Sequence, residues 1–210
     1  MVDDIRIQTI PVGQLGTNCY LVGNLNSKSS VIIDPGDEAG KIADLIEAEG
    51  LEITHIINTH GHYDHIGANG ALSLKTGARI YMSKEDEDLL VASENDLFAL
   101  YGETFLKSKE IEYLRGGQEI VVGKIKMKII STPGHTRGGI SILAGSHLFV
   151  GDTLFSGSIG RTDLPGGDFD TLIESIRSRL LTLPDETTVY PGHGPKTTIG
   201  AERATNPYLA

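Results

Sequence analysis

The stretch Asn58-Thr59-His60-Gly61-His62-Tyr63-Asp64-His65-Ile66-Gly67 sets three of the chain's seven histidines and a carboxylate within six positions, at the end of the strand-like run His55–Asn58. The spacing has a chemical use. Alternate residues of an extended segment point the same way, so His60 and His62 can reach one cation. If the chain then turns into a helix, Asp64 and His65 face a second cation nearby. Neutral imidazole and carboxylate oxygen suit Zn²⁺, and also Fe²⁺ or Mn²⁺.

Three further segments repeat the syntax of a strand running into a glycine-rich polar loop: Thr132-Pro133-Gly134-His135-Thr136, Phe149-Val150-Gly151-Asp152-Thr153 and Tyr190-Pro191-Gly192-His193-Gly194. Each alone is a weak signal. Together they add a third neutral ligand for each of two metals and a carboxylate able to bridge them. Glycine beside each ligand permits close backbone approach, and proline stiffens the loop.

Around these motifs the chain reads as layered α/β. Strand-like runs recur at Ile5–Ile10, Cys19–Val22, Val31–Ile33, Arg79–Met82, Glu119–Val122, Ile125–Ile130, Gly139–Leu143, Leu148–Val150 and Thr188–Tyr190. Helical stripes alternate with them: Ile42, Leu45 and Ile46, then Leu172, Ile173, Ile176 and Leu180. Ser83–Tyr101 is helix-prone, and its acidic opening, Lys84-Glu85-Asp86-Glu87-Asp88, reads as a solvated face at a helix N-terminus. Mixed strands and helices suggest two sheets with outer helices.

Composition narrows the function. Eighteen basic against 28 acidic residues give a formal charge of −10, which disfavours a phosphate-tracking surface, so no nucleic-acid partner is expected. No apolar run approaches the ~20 residues that span a bilayer, so no membrane partner is expected either. The acidic opening Met1-Val2-Asp3-Asp4 lacks the features of a signal peptide, and the expected compartment is the cytoplasm. A single cysteine, Cys19, excludes an internal disulfide and any multi-thiolate zinc site; its apolar neighbours predict a small buried residue.

With these motifs in order, preceded by Asp34-Pro35-Gly36, the sequence resembles the metallo-β-lactamase superfamily over nearly its whole length. Within it, Gly151-Asp152-Thr153-Leu154-Phe155-Ser156-Gly157-Ser158-Ile159-Gly160-Arg161-Thr162-Asp163 is similar to the glyoxalase II (hydroxyacylglutathione hydrolase) group and its shorter bacterial relatives; Tyr190–Gly194 and Asn206-Pro207-Tyr208 agree. The resemblance implies one α/β domain over residues 1–210, an αββα four-layer sandwich with a dinuclear site between the upper edges of its sheets. It implies His60, His62 and His135 on metal one, Asp64, His65 and His193 on metal two, and Asp152 bridging. Asp34 would orient a ligand histidine from behind. His55 and His147 match no ligand position. Full-length glyoxalase II enzymes carry a C-terminal helical domain that binds glutathione; here only Thr197–Ala210 follows the last ligand, so none is expected.

The implied activity is hydrolysis of a thioester such as an S-2-hydroxyacylglutathione, by a hydroxide bridging two divalent ions, zinc first with iron or manganese as options. Asp64, the expected catalytic residue, would hold metal two and orient the nucleophile or accept its proton. The expected partner is a small thioester; the oligomeric state is not read from sequence. Tyr101, Lys107, Lys109 and Arg115 are candidates for a carboxylate-bearing substrate, although surface charges on a helical insert are the plainer reading. Arg161 is a candidate for a buried ion pair near the site. The rival is a mononuclear-iron persulfide dioxygenase on the same scaffold, whose metal ligands would match His60, His135 and Asp152 and which can retain the other motif residues; a lactone or ester hydrolase would share every ligand. A structural metal site is disfavoured, because such sites are closed and cysteine-rich.

Overall fold

In the computed structural model, residues 5–24 and 27–209 are described; Met1–Asp4, whose reading as free of a leader is given above, lie outside them, as does Ala210. Six strands form the first sheet, in chain order: β1 (Ile5–Val12), β2 (Thr17–Asn24), β3 (Ser29–Ile33), β4 (Glu52–Ile57), β5 (Arg79–Ser83) and β6 (Ile111–Leu114). The second runs β14 (Thr197–Thr198), β13 (Thr188–Pro191), β10 (His147–Gly151), β9 (Ile140–Ala144), β8 (Ile125–Ser131), β7 (Glu119–Val122). A small hairpin, β11 (Leu154–Phe155) with β12 (Ser158–Ile159), stands apart.

Period-two side-chain alternation makes this a four-layer stack. In β2, Tyr20 and Val22 enter the core between the sheets, while Cys19 and Leu21 face the other way onto α1 (Ala39–Glu49) and α3 (Asn69–Thr76). In β10, Phe149 lies between the sheets, whereas Leu148 and Val150 meet α5 (Phe169–Ser175) and α6 (Ile199–Thr205). Both faces are covered, so these strands read as continuous apolar runs. The αββα sandwich is the fold the sequence implied. Among the described residues no helix is long and apolar enough to cross a membrane.

The helical stripes bury as expected: Ile42 and Ile46 on α1, Leu172 on α5, and Ile176 and Leu180 on the single π-helical turn Ile176–Leu180 that prolongs α5. Strand β6 carried no clear signal, because its four residues, Ile-Glu-Tyr-Leu, are too few and too polar to show a period. The tail residue Asn206 is buried and donates to Ser158 O and Glu202 Oε2, tying the C-terminal segment to the β11–β12 hairpin.

One local reading needs correction. Lys84–Asp88 is not a uniformly solvated helix start. Ser83 closes β5, Lys84–Asp86 is a 3₁₀ turn, and α4 begins only at Glu87 (Glu87–Tyr101). Asp86 is buried and accepts from Gly61 N (3.1 Å), Gly138 N (2.6 Å) and Thr136 Oγ1 (2.7 Å). Burial pushes its carboxyl pKa up, against those three donors. It pins the loop of His60 and His62 to the loop of His135. Asp86→Ala strands two buried amides and a hydroxyl without an acceptor, and should cost about 3 kcal/mol or more, read as a lowered urea midpoint at unchanged m-value.

Candidate metal centre

The seven sequence-predicted donors converge on one edge of the sandwich. Strands β3, β4 and β5 run parallel in one sheet, as do β10 and β13 in the other, and β8 shares their direction through antiparallel β9. Asp34 follows β3, His60 follows β4, His135 follows β8, Asp152 follows β10 and His193 follows β13, so each side chain leaves a strand at its carboxyl end. Short helix α2 (Tyr63–Ile66) then presents Asp64 and His65.

The donors group as His60, His62 and His135; as Asp64, His65 and His193; and, between these, as His60, His65 and Asp152, with the donor atoms of each group within 4.8 Å of one another. His62 Nδ1 is 3.0 Å from His135 Nε2, and His193 Nε2 is 3.2 Å from Asp64 Oδ2. Asp152 stands between the two triads: its Oδ2 is 3.7 Å from His135 Nε2 and 3.5 Å from His193 Nε2.

The orientation of the imidazoles is set from behind. His65 Nδ1 donates to Asp34 Oδ2 at 3.0 Å, His135 Nδ1 to Arg161 O at 2.7 Å, and His193 Nδ1 to Leu15 O at 3.2 Å. Thr59 donates to Asp34 through both its amide and its hydroxyl, at 2.7 Å each, so its hydroxyl oxygen accepts from His60 Nδ1 at 3.0 Å. With Nδ1 engaged from behind, each Nε2 points into the cluster. This is the outer support that metal-binding histidines need. Among the described residues the buried side-chain atoms without a hydrogen-bond partner are His60 Nε2, His65 Nε2 and Asp152 Oδ1. Stranding three polar atoms together is costly unless a cation satisfies them, and the His/Asp donor set fits divalent zinc, iron or manganese.

Two glycines make the close approach possible. Gly151 has φ +52°, and a Cβ there would fall 2.1 Å from Thr59 Oγ1. The β10–β13 register slips between Phe149 and Gly151, just where Asp152 must turn into the cluster. A Cβ on Gly192 would fall 2.1 Å from Asp152 Oδ1 and 2.7 Å from His65 Cε1.

The charges divide sharply. Burial, reinforced by neighbouring histidines, holds His60 well below the usual imidazole pKa and His62 down to about 4, so both are neutral donors at pH 7. Burial alone would also lower His65, but Asp152 and Asp34 raise it well above the usual value. Hydrogen bonds to Asp152 and Asp64 push His193 up to about 9. Asp152, despite its burial, is held well below the carboxylate range, chiefly by His65.

Some residues lie elsewhere than expected. Arg161 forms no buried ion pair: its guanidinium makes an exposed bidentate pair with Asp163, and only its carbonyl serves the site. Lys107 bonds Asn95. His55 stacks on Tyr81 and His147 meets Tyr190, both outside the cluster as expected. Thr59 and Asp86 escaped sequence reading. Thr59 lies inside the motif and is a support only through its contacts, and Asp86 is hidden in an acidic run.

Two outcomes follow from this geometry. Metal titrated into chelator-treated protein must displace the proton that His193 carries at pH 7, its pKa being pushed up to about 9, and Asp152 and Asp34 bias His65 the same way. Calorimetry should therefore show proton release, with affinity rising as pH increases toward about 9. Gly192→Ala should keep the fold, by circular dichroism, but lose at least half its bound metal by elemental analysis, because the methyl displaces Asp152 and His65.

Comparison with known proteins agrees. The chain is 37% identical over 98% of its length to hydroxyacylglutathione hydrolase GloC of Haemophilus influenzae, covering 98% of that protein. It superposes on the crystal structure of the BLEG-1 B3 metallo-beta-lactamase with a TM-score of 0.88, at 36% identity, covering 97% of this chain and 99% of that one. TTHA1623, crystallised in a di-iron-bound form, gives 0.84 at 36% identity, covering 96% of this chain and 100% of that one. Residues 12–193 match the family as a whole, and the chain belongs to the metallo-beta-lactamase superfamily.

Proposed function

We propose that this metallo-hydrolase-superfamily chain cleaves a small thioester of the S-2-hydroxyacyl type, using two divalent ions. The observation that carries the reading is the pair of histidine-rich triads with Asp152 between them and three partnerless buried donor atoms. His60, His62 and His135 would hold one ion, Asp64, His65 and His193 the other, and Asp152 both. When bound, such a pair supplies a hydroxide at neutral pH and polarises a carbonyl.

The chain's own groups do the rest. Asp64, its pKa lowered against burial by His193, is ionised and anchored by Thr17 Oγ1 at 2.9 Å. It borders the open groove beside the cluster, where it orients the attacking water and accepts its proton. Water adds to the acyl carbon, the carbon–sulfur bond breaks, and carboxylic acid and thiol leave. A thiolate, whose conjugate acid has a pKa of about 8.5, departs without a strong general acid, and none of the seven donors is placed as one. An ester or lactone would demand more of the site. A mononuclear-iron persulfide dioxygenase would use only His60, His135 and Asp152 as ligands and can retain the other motif residues, so the identity and number of the metals decide between the two readings. The GloC relative supports the hydroxyacyl thioester, and the di-iron form of TTHA1623 supports iron beside zinc.

Elemental analysis of protein purified without added metal or chelator tests this reading. About two metals per chain with thioester turnover is the expected result; one iron, negligible zinc and oxygen uptake with a persulfide would replace it. Asp152→Ala should lose metal and at least about a hundredfold in kcat/KM together. Activity retained at full metal content would contradict the bridging role.

A further inference from the structure

Beside the candidate metal centre opens a groove of about 530 Å³, and Asp64 belongs to both. Thr17, whose hydroxyl donates to Asp64 Oδ2, lines it too. So does Leu15, whose carbonyl fixes His193. Twelve large apolar side chains are exposed among the described residues, and five of them gather here: Leu15, Tyr63, Leu100, Tyr101 and Leu106. Apolar surface concentrated at the mouth of a polar site marks a place for a ligand.

The charges of the wall have one sign. Asp37, Glu38 and Asp96 line it, and no lysine, arginine or histidine does. Lys41 bonds Glu38 at 3.3 Å from outside the groove, and Lys107, also outside the lining, bonds Asn95. Of the residues considered for a carboxylate-bearing substrate, only Tyr101 reaches the lining. A carboxylate entering here would meet carboxylates in a partly desolvated setting, while a hydrocarbon or aromatic arm would gain burial.

We propose that this groove receives the larger arm of the thioester, and that this arm is apolar and free of negative charge, which excludes glutathione as the preferred carrier. The proposal rests on the thioesterase reading above. Two lactoyl thioesters test it, one on glutathione and one on phenethyl thiol, with the protein as purified. The phenethyl compound should show at least about tenfold higher kcat/KM. Asp96→Lys, at an exposed position on α4, should raise kcat/KM for the glutathione thioester and narrow the gap. Leu100→Asp, at a side chain 71% exposed and therefore free of the core, should lower the phenethyl value about tenfold with metal content unchanged. Equal or better use of lactoylglutathione by the wild type overturns the proposal.

A binding measurement separates the two readings. Calorimetry with the phenethyl thioether, which cannot be hydrolysed, should show binding to the wild type and at least tenfold weaker binding to Leu100→Asp. If neither thioester turns over on protein carrying two metals, the thioesterase reading fails, and the thioether still decides the groove. Undetectable binding, or binding indifferent to Leu100→Asp, overturns it.

Discussion

Asp34 is a carboxylate with almost no access to water, and the metal-binding edge is organised around it. It sits just past β3 in a left-handed backbone conformation (φ +53°), which an aspartate tolerates better than most side chains. From there it takes the Thr59 amide, the Thr59 hydroxyl and His65 Nδ1. Through Thr59 it also fixes the tautomer of His60. One buried charge thus aligns a histidine from each triad, and it is tolerable there only because its partners are complete.

The two sheets are joined at the same edge, so the halves of the cluster cannot drift apart. Ile140 N donates to Thr59 O across the sandwich, Asn18 N to Gly192 O, and Tyr20 Oη to Pro191 O. Asp86 does the same for the loops of His62 and His135. Donor spacing is therefore a property of the whole sandwich. The backbone bonds between the sheets, not the loops alone, hold the donors at their spacing.

Beside this polar edge lies an apolar groove of opposite character. The metal-facing side offers imidazoles, neutral at His60 and His62, and the ionised Asp152, while the groove offers leucines and tyrosines rimmed by acids. Donor chemistry and apolar surface are thereby separated, meeting only around Asp64, which belongs to both. The groove draws on the β1–β2 turn, the segment entering α1, α2, α3 and α4, and it touches the cluster through Asp64, the Thr17 hydroxyl and Leu15's carbonyl.

The sequence by itself brought out the histidine–aspartate motifs and the layered fold. His60, His62, Asp64 and His65 lie so close along the chain that local geometry alone can aim them, and the apolar runs of β2, β3 and β10 announce strands covered on both faces. Tertiary structure alone decided what joins them. Asp86 looks like its acidic neighbours until Gly61, Thr136 and Gly138 close over it, and Arg161 serves through a carbonyl that no side-chain reading could single out. The sign of the groove was equally hidden, since Asp37, just before α1, and Asp96, on α4, are distant in sequence and line one opening only in the folded chain. Local pattern fixes which face a residue takes; long-range packing fixes which charges it meets there.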